Sequence, residues 1–162
     1  MDRLDDRVIA DFLRRSYFAV DGLWFVKAEE ERSFEAALGL DEQVWRVMPK
    51  IQARKARELL GVEGHGIADL IRCFGLKLAA EGYEYEVRRP SDHEAEVVVT
   101  YCPWYAVLQR TRRESVAAVI ADRICSSEFA CWAKEFSQDI ELSIRERLCS
   151  GGRKCRIRFT EP

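Results

Sequence analysis

Near residue 82 the apolar pattern changes its period. Upstream, Ile67, Leu70, Ile71, Phe74 and Leu78 recur at helical spacing; downstream, Tyr83, Tyr85 and Val87 alternate with Glu84, Glu86 and Arg88. A helical period buries one stripe and a two-residue period buries one face of a strand, so neither stretch can take the other's form and keep its apolar side covered. After a tight connection over Arg89–His93, a second run places Ala95, Val97, Val99 and Tyr101 on one face. The pair predicts an antiparallel hairpin with His93 exposed at its tip. A closing run, KCRIRFT, sets Cys155, Ile157 and Phe159 against Arg156 and Arg158. The expected fold class is α+β, several helices packed on a small antiparallel sheet. One domain is expected over 1–162, with a helical half at 1–82 and the hairpin, further helices and closing strand at 83–162.

Residues 5–36 predict one long helix or two consecutive ones. Between Tyr17 and Val26 the segment is apolar nearly all round, which predicts burial on every side. Asp21 sits inside that run, with Tyr17, Trp24, Phe25 and Ala28 on its face. Gly39 is expected to end this unit. Asp41 is the expected N-cap of a helix reaching Gly61, kinked or split by Pro49. A third helix is expected from Ile67, with Cys73 at the edge of the core. After Pro103 a short helix should run to about Arg110, and Ser115 is placed to cap another from Val116 to Cys125. A last helix is expected with Phe129, Ala133, Phe136, Ile140, Ile144 and Leu148 inward, stopped by Gly151 and Gly152.

A length of 162 residues suffices for a core without staples, and 48% hydrophobic with 33% charged residues describes a globular chain. The net charge of −2 gives no electrostatic reason to expect nucleic acid or an anionic membrane as partner. No apolar run reaches the length of a membrane span, and the start MDRLDDRV lacks a signal-peptide pattern, so a cytoplasmic protein is expected. In that compartment the six cysteines are expected to be free, metal-bound or catalytic. With only His65 and His93 present, any triad or histidine-rich metal site must use one of them.

Five of the six cysteines, Cys102, Cys125, Cys131, Cys149 and Cys155, lie in the closing stretch, near junctions between elements. On a continuous helix Cys125 lies about 40° from Phe129 and faces inward, while Cys131 lies about 160° away and faces water. Three readings stay open. Cys102 is a candidate nucleophile, because amides at the following helix N-terminus lower a thiol pKa and support a developing anion. Cys102, Cys125, Cys149 and Cys155 together could hold zinc or an iron–sulfur cluster, although no C-x-x-C pair is present. Or the sulfurs are small apolar packing groups. Asp21, as a carboxylate among aromatic rings, is a candidate general acid. Tyr17, Trp24, Phe25 and Trp104 are the candidate ligand-contacting rings.

The motifs DGLWF at 21–25, AALGLDEQVW at 36–45, a cysteine closing a strand, IC at 124–125 and the CRIRF close resemble a prokaryotic cytosolic family related to the L-2-amino-thiazoline-4-carboxylate hydrolases. The close also resembles that of the vinyl-reductase-like small-molecule-binding domains, which share an α+β build. The first resemblance implies the opening of a cyclic amidine to an N-carbamoyl cysteine. Cys102 or Cys125 would be the reactive thiol, and the surroundings of Asp21 a pocket wall. The second implies a ligand- or metal-binding sensor without catalysis. Finally, the apolar area of residues 17–26, with Trp24, Phe25, Trp45 and Trp104, exceeds what a chain this size readily covers, and a homodimer through the N-terminal helices is expected.

Overall fold

A computed structural model describes residues 4–162. Its elements are α1 (Asp6–Glu31), α2 (Phe34–Trp45), α3 (Met48–Leu60), α4 (Ile67–Glu81), β1 (Glu84–Ser91), β2 (Glu94–Tyr101), α5 (Pro103–Arg110), α6 (Ala117–Lys134), β3 (Glu141–Glu146) and β4 (Cys155–Thr160). The chain divides into two compact units, Met1–Asp41 and Glu42–Pro162. The α+β class read from the sequence is the class observed. No helix among the described residues is long and apolar enough to cross a membrane.

In the first unit, Asp5 caps α1 by accepting from the Arg7 amide at 2.7 Å. None of the helix's residues is buried. The expectation of burial on every side therefore fails: Phe12, Leu13, Leu23 and Trp24 are all exposed, Trp24 to 74%. One side of α1 is half-buried, and there Phe25 packs edge-on against Phe34 of α2 at 5.8 Å. Gly39 and Asp41 lie within α2 rather than at its end. The break comes later, where Pro49 takes the first turn of α3, the one helical site where its missing N–H costs nothing.

The second unit holds the sheet, in the order β1-β2-β4-β3, antiparallel throughout. Its inner face presents Ala95, Val97, Val99, Ile157 and Phe159, all nearly fully buried, whereas Tyr101 is exposed. On the outer face Arg156 grips Glu96 with two hydrogen bonds of 2.9 and 3.0 Å, and Arg158 pairs with Glu94 at 2.7 Å. Residues 141–146 form a strand, not the helix expected from the four-residue recurrence of Phe136, Ile140 and Ile144. Leu142 and Ile144 also satisfy a two-residue period, and pairing with Phe159 and Ile157 on β4 decides for the strand. α6 is one helix, preceded by a 3-10 turn at Glu114–Val116, and it ends at Lys134.

Phe74 of α4 sits at the centre of the core. Its ring meets Phe129, Trp132 and Phe159 at 5.4, 5.5 and 5.8 Å, all edge to face. α4, α6 and the sheet thus converge on one ring. Gly82 closes α4 at φ 81°, a conformation that disfavours side chains, and so turns the chain into β1. Phe74→Ala is expected to cost about 3–5 kcal/mol in urea unfolding, while Phe12→Ala on exposed α1 should leave monomer stability within about 0.5 kcal/mol.

Candidate functional site

The inner stripe of α4 contains two charges. Lys77 follows Cys73 by one turn and Glu81 follows Lys77 by another, so both point where Leu70, Phe74 and Leu78 point. Lys77 and Glu81 are each 5% exposed, and Glu128 of α6 is 4% exposed. The Lys77 ammonium lies 2.7 Å from Glu128 Oε1 and 3.1 Å from Glu81 Oε2. Glu81 accepts further hydrogen bonds from Trp104 Nε1 at 3.1 Å and Gln52 Nε2 at 3.3 Å. The ammonium also faces the rings of Tyr83, Phe129 and Phe74 at 5.2, 5.7 and 5.8 Å. Burial works against its charge, but the charges of Glu128 and Glu81 and their hydrogen bonds outweigh it, holding the Lys77 pKa above its ordinary value. Lys77 is therefore a fixed cation, not a base or an amine nucleophile.

Four cysteines lie toward one end of the sheet, two of them, Cys102 and Cys125, within the field of this cation. Cys102 follows β2 and opens α5; Cys155 starts β4 opposite Val99; Cys149 lies in a 3-10 turn at Leu148–Ser150; Cys125 comes from α6. Two of them sense others in the group: Cys125 the charges of Cys102 and Cys149, and Cys155 those of Cys102 and Cys149. The Leu148 amide donates to Cys155 Sγ at 3.3 Å. All six cysteines are free thiols.

The environment of Cys102 pulls both ways. Burial raises its pKa; the α5 amides of Tyr105 and Trp104, the Tyr83 hydroxyl and the Lys77 charge pull it down. Burial wins, and the pKa stays above the ordinary 9.0. The sulfur closes no helix-capping hydrogen bond. This corrects the expectation of a low-pKa thiol: the helix terminus is there, but the sulfur is desolvated. Burial pushes Cys125 well above 9.0, with Glu128 adding to it, and raises Cys155 to about 11.

Among the described residues no group of three or more His, Cys, Asp or Glu side chains is placed to hold a metal ion. The four-thiolate reading of Cys102, Cys125, Cys149 and Cys155 thus has no ligand geometry, and the buried thiols favour their protonated form. Cys73 is a core residue at 0% exposed. Cys131 is half-buried, its thiol 3.8 Å from the Arg46 carbonyl, rather than facing water. Cys131 does lie on the side of α6 away from Phe129, as its helical angle predicts, and the chain at Arg46 covers that side.

Asp21, Tyr17, Trp24 and Phe25 belong to the first unit. Asp21, Tyr17 and Phe25 are half-buried and Trp24 is exposed, so Asp21 is not a fully enclosed carboxylate. Trp104 lies in the second unit, meeting Trp45 edge-on at 5.6 Å while donating to Glu81.

A groove of about 520 Å³ opens between α6 and β3. Ala130, Ile140, Leu142 and Ile144 supply apolar lining, and Ser126, Lys134, Glu141 and Arg147 supply the polar part. Arg147 is anchored to Asp122 at 2.7 Å and Ser126 at 2.8 Å, and Lys134 donates to the Ile140 carbonyl at 3.0 Å. Both cations are thus pre-positioned. Ser126 follows Cys125, and Arg147 comes two residues before Cys149, so the groove's wall is continuous in sequence with the cysteine cluster.

Residues 4–151 match the profile of a family of unknown function, DUF6125. The chain belongs to this family. The matched stretch contains Lys77, Glu81, Glu128, Cys102, Cys125, Cys149 and all residues lining the groove, and stops short of β4 and Cys155. No curated protein matches the chain.

Sequence reasoning missed Lys77, Glu81 and Glu128 because it counted only apolar positions on each stripe. The signal was present: Leu70, Cys73, Phe74, Lys77, Leu78 and Glu81 recur every three or four residues, as do Ile124, Glu128 and Trp132. A Lys and a Glu on an inner stripe imply a partner across the core. Lys77→Met strands two buried carboxylates and is expected to cost about 3–5 kcal/mol at neutral pH. Because the Lys77 pKa is raised on folding, its stabilisation is present below the ordinary 10.5 and falls as pH climbs beyond it. Denaturation from pH 8 to 12 should show in both proteins the decline that the raised thiols cause above pH 9. Wild type alone should show a further decline above 10.5, which Lys77→Met lacks.

Proposed function

We propose that this protein binds a small molecule carrying a carboxylate and a compact, partly apolar body, held in the groove between α6 and β3. The groove carries this reading: its volume of about 520 Å³ lies in the range of small-ligand sites, and it pairs apolar walls with two anchored cations. A carboxylate would sit toward Arg147, at the Ser126 end of the groove, with the apolar part against Leu142 and Ile144 and Lys134 at the far end. The ligand class implied by the sequence resemblance, a cyclic amidine carboxylate, meets this description. In the hydrolytic form of the proposal the ligand must pass from the groove, which Cys102 does not line, to the Cys102 end of the sheet. There the thiol adds to the amidine carbon, the ring C–S bond breaks to free the ligand's own thiol, and water then displaces Cys102 to give N-carbamoyl cysteine. The α5 amides and the fixed Lys77 charge would steady the negative charge that forms. Asp21 belongs to the other unit and carries no step here.

One observation favours a second reading, a ligand-binding sensor without turnover. Every cysteine is held above the ordinary thiol pKa, the opposite of what a resting nucleophile needs. We also propose that the chain acts as a homodimer, on the strength of the apolar residues left exposed along α1.

L-2-amino-thiazoline-4-carboxylate is the probe for both readings. Calorimetry should detect binding to wild type and at least a tenfold loss on Leu142→Glu or Arg147→Gln; no binding to wild type would remove the groove reading for this ligand class. If N-carbamoyl cysteine forms, Cys102→Ala should abolish its formation and leave binding intact. Binding without product supports the sensor. Iodoacetamide labelling of Cys102 should rise through a midpoint above pH 9.0, and selective labelling at neutral pH would contradict its buried setting.

A further inference from the structure

The exposed side of α1 is not a scatter of apolar residues but one continuous seam. At 100° per residue, Ile9, Phe12, Ser16, Val20 and Leu23 share a face centred near Ser16, with Leu13 and Ala19 to either side. Ile9, Phe12, Leu13, Val20 and Leu23 are exposed to 41%, 69%, 60%, 51% and 60%, and Ser16 and Ala19 are exposed as well. The helix has 26 residues, about 39 Å of axis, and this face runs along most of it. Asp5, the N-cap that accepts from the Arg7 amide, and Lys27, which also pairs with Glu30 at 2.6 Å, lie on the same face, equally far from Ser16 in opposite directions. The seam therefore begins with a carboxylate, ends with an ammonium and has a small residue at its middle.

That arrangement complements itself under one operation. A two-fold axis at Ser16 lays a second α1 antiparallel on the first, so that each residue meets one on its own side of the seam about as far beyond Ser16 as it lies before it. Ile9 then faces Leu23 of the other copy, Leu13 faces Val20, and the bulky Phe12 meets the small Ala19. Asp5 faces Lys27 at both ends. A parallel pairing would set Lys27 on Lys27 and Asp5 on Asp5. Two-fold pairing of one patch with itself is the usual form of a homodimer interface. Charge complementarity at the ends selects direction and register, as flanking charges do in helix pairs.

We infer that the exposed face of α1 is a self-association surface, on which two copies of this chain pair antiparallel about Ser16 through Ile9, Phe12, Leu13, Val20 and Leu23, with Asp5 opposite Lys27. This rests on the homodimer proposed above and adds its surface, direction and register.

Light scattering of the full chain at micromolar concentration should give twice 18.8 kDa; a monomer overturns both the dimer and this surface. Leu23→Glu should yield a monomer with an unchanged melting profile for the second unit, whose core does not include α1. A Leu23→Glu protein that stays dimeric overturns the α1 surface while leaving the dimer standing. Lys27→Glu sets like charges together at both ends and should weaken dimerisation roughly tenfold, two exposed pairs being involved. Adding Asp5→Asn, which keeps a capping side chain, removes that repulsion and should recover most of the loss. Weakening by Lys27→Glu that Asp5→Asn fails to relieve overturns the antiparallel register.

Discussion

The second unit is organised around one buried charge. Lys77 brings an ammonium into the middle of an aromatic core, where it is tolerated only because Glu81, Glu128 and three ring faces surround it. The network draws on several elements. Glu128 ties α4 to α6, Gln52 brings α3 to Glu81, and Trp104 brings α5 to the same carboxylate. If one contact goes, an uncompensated charge remains inside the protein. The helices can therefore meet in few other arrangements, a constraint that apolar packing alone does not supply.

The consequences reach the thiols. Cys102 stands where β2 hands over to α5, and its sulfur receives the field of Lys77 and the amides of Tyr105 and Trp104. The interior that keeps Lys77 paired also desolvates the sulfur, and desolvation is the larger effect. The site supports an anion once one forms but does not hold one at rest. Such a pocket suits a thiol charged only when a ligand arrives, or a thiol that is never charged. The groove between α6 and β3 is different, with Arg147 and Lys134 already anchored along it.

Period alone revealed the hairpin, α4, α5 and β4, because Ala95, Val97 and Val99 can be buried together only on a strand, and Leu70, Phe74 and Leu78 only on a helix. It failed at residues 141–146, where Ile140 and Ile144 fit both periods and a partner far along the chain, β4, made the choice. It also failed at Gly39, whose weak helix propensity was overridden within α2. For α1, an apolar circumference does not mean burial, since Phe12, Leu13, Leu23 and Trp24 stay exposed. At the site, Cys102 and its helix were legible from Pro103. The cation that shapes its surroundings was not, because charged residues on an inner stripe were not traced to partners across the core.

The state of Lys77 decides whether the central network is as described. Heteronuclear NMR of its side-chain Nζ and Cε reads this directly in the folded wild-type protein. The account expects an ammonium in slow exchange with water that remains protonated as pH passes 10.5, the ordinary lysine value. A Lys77 resonance that titrates at or below that pH, with the rapid exchange of a solvated amine, would contradict the buried, doubly paired cation on which the rest depends.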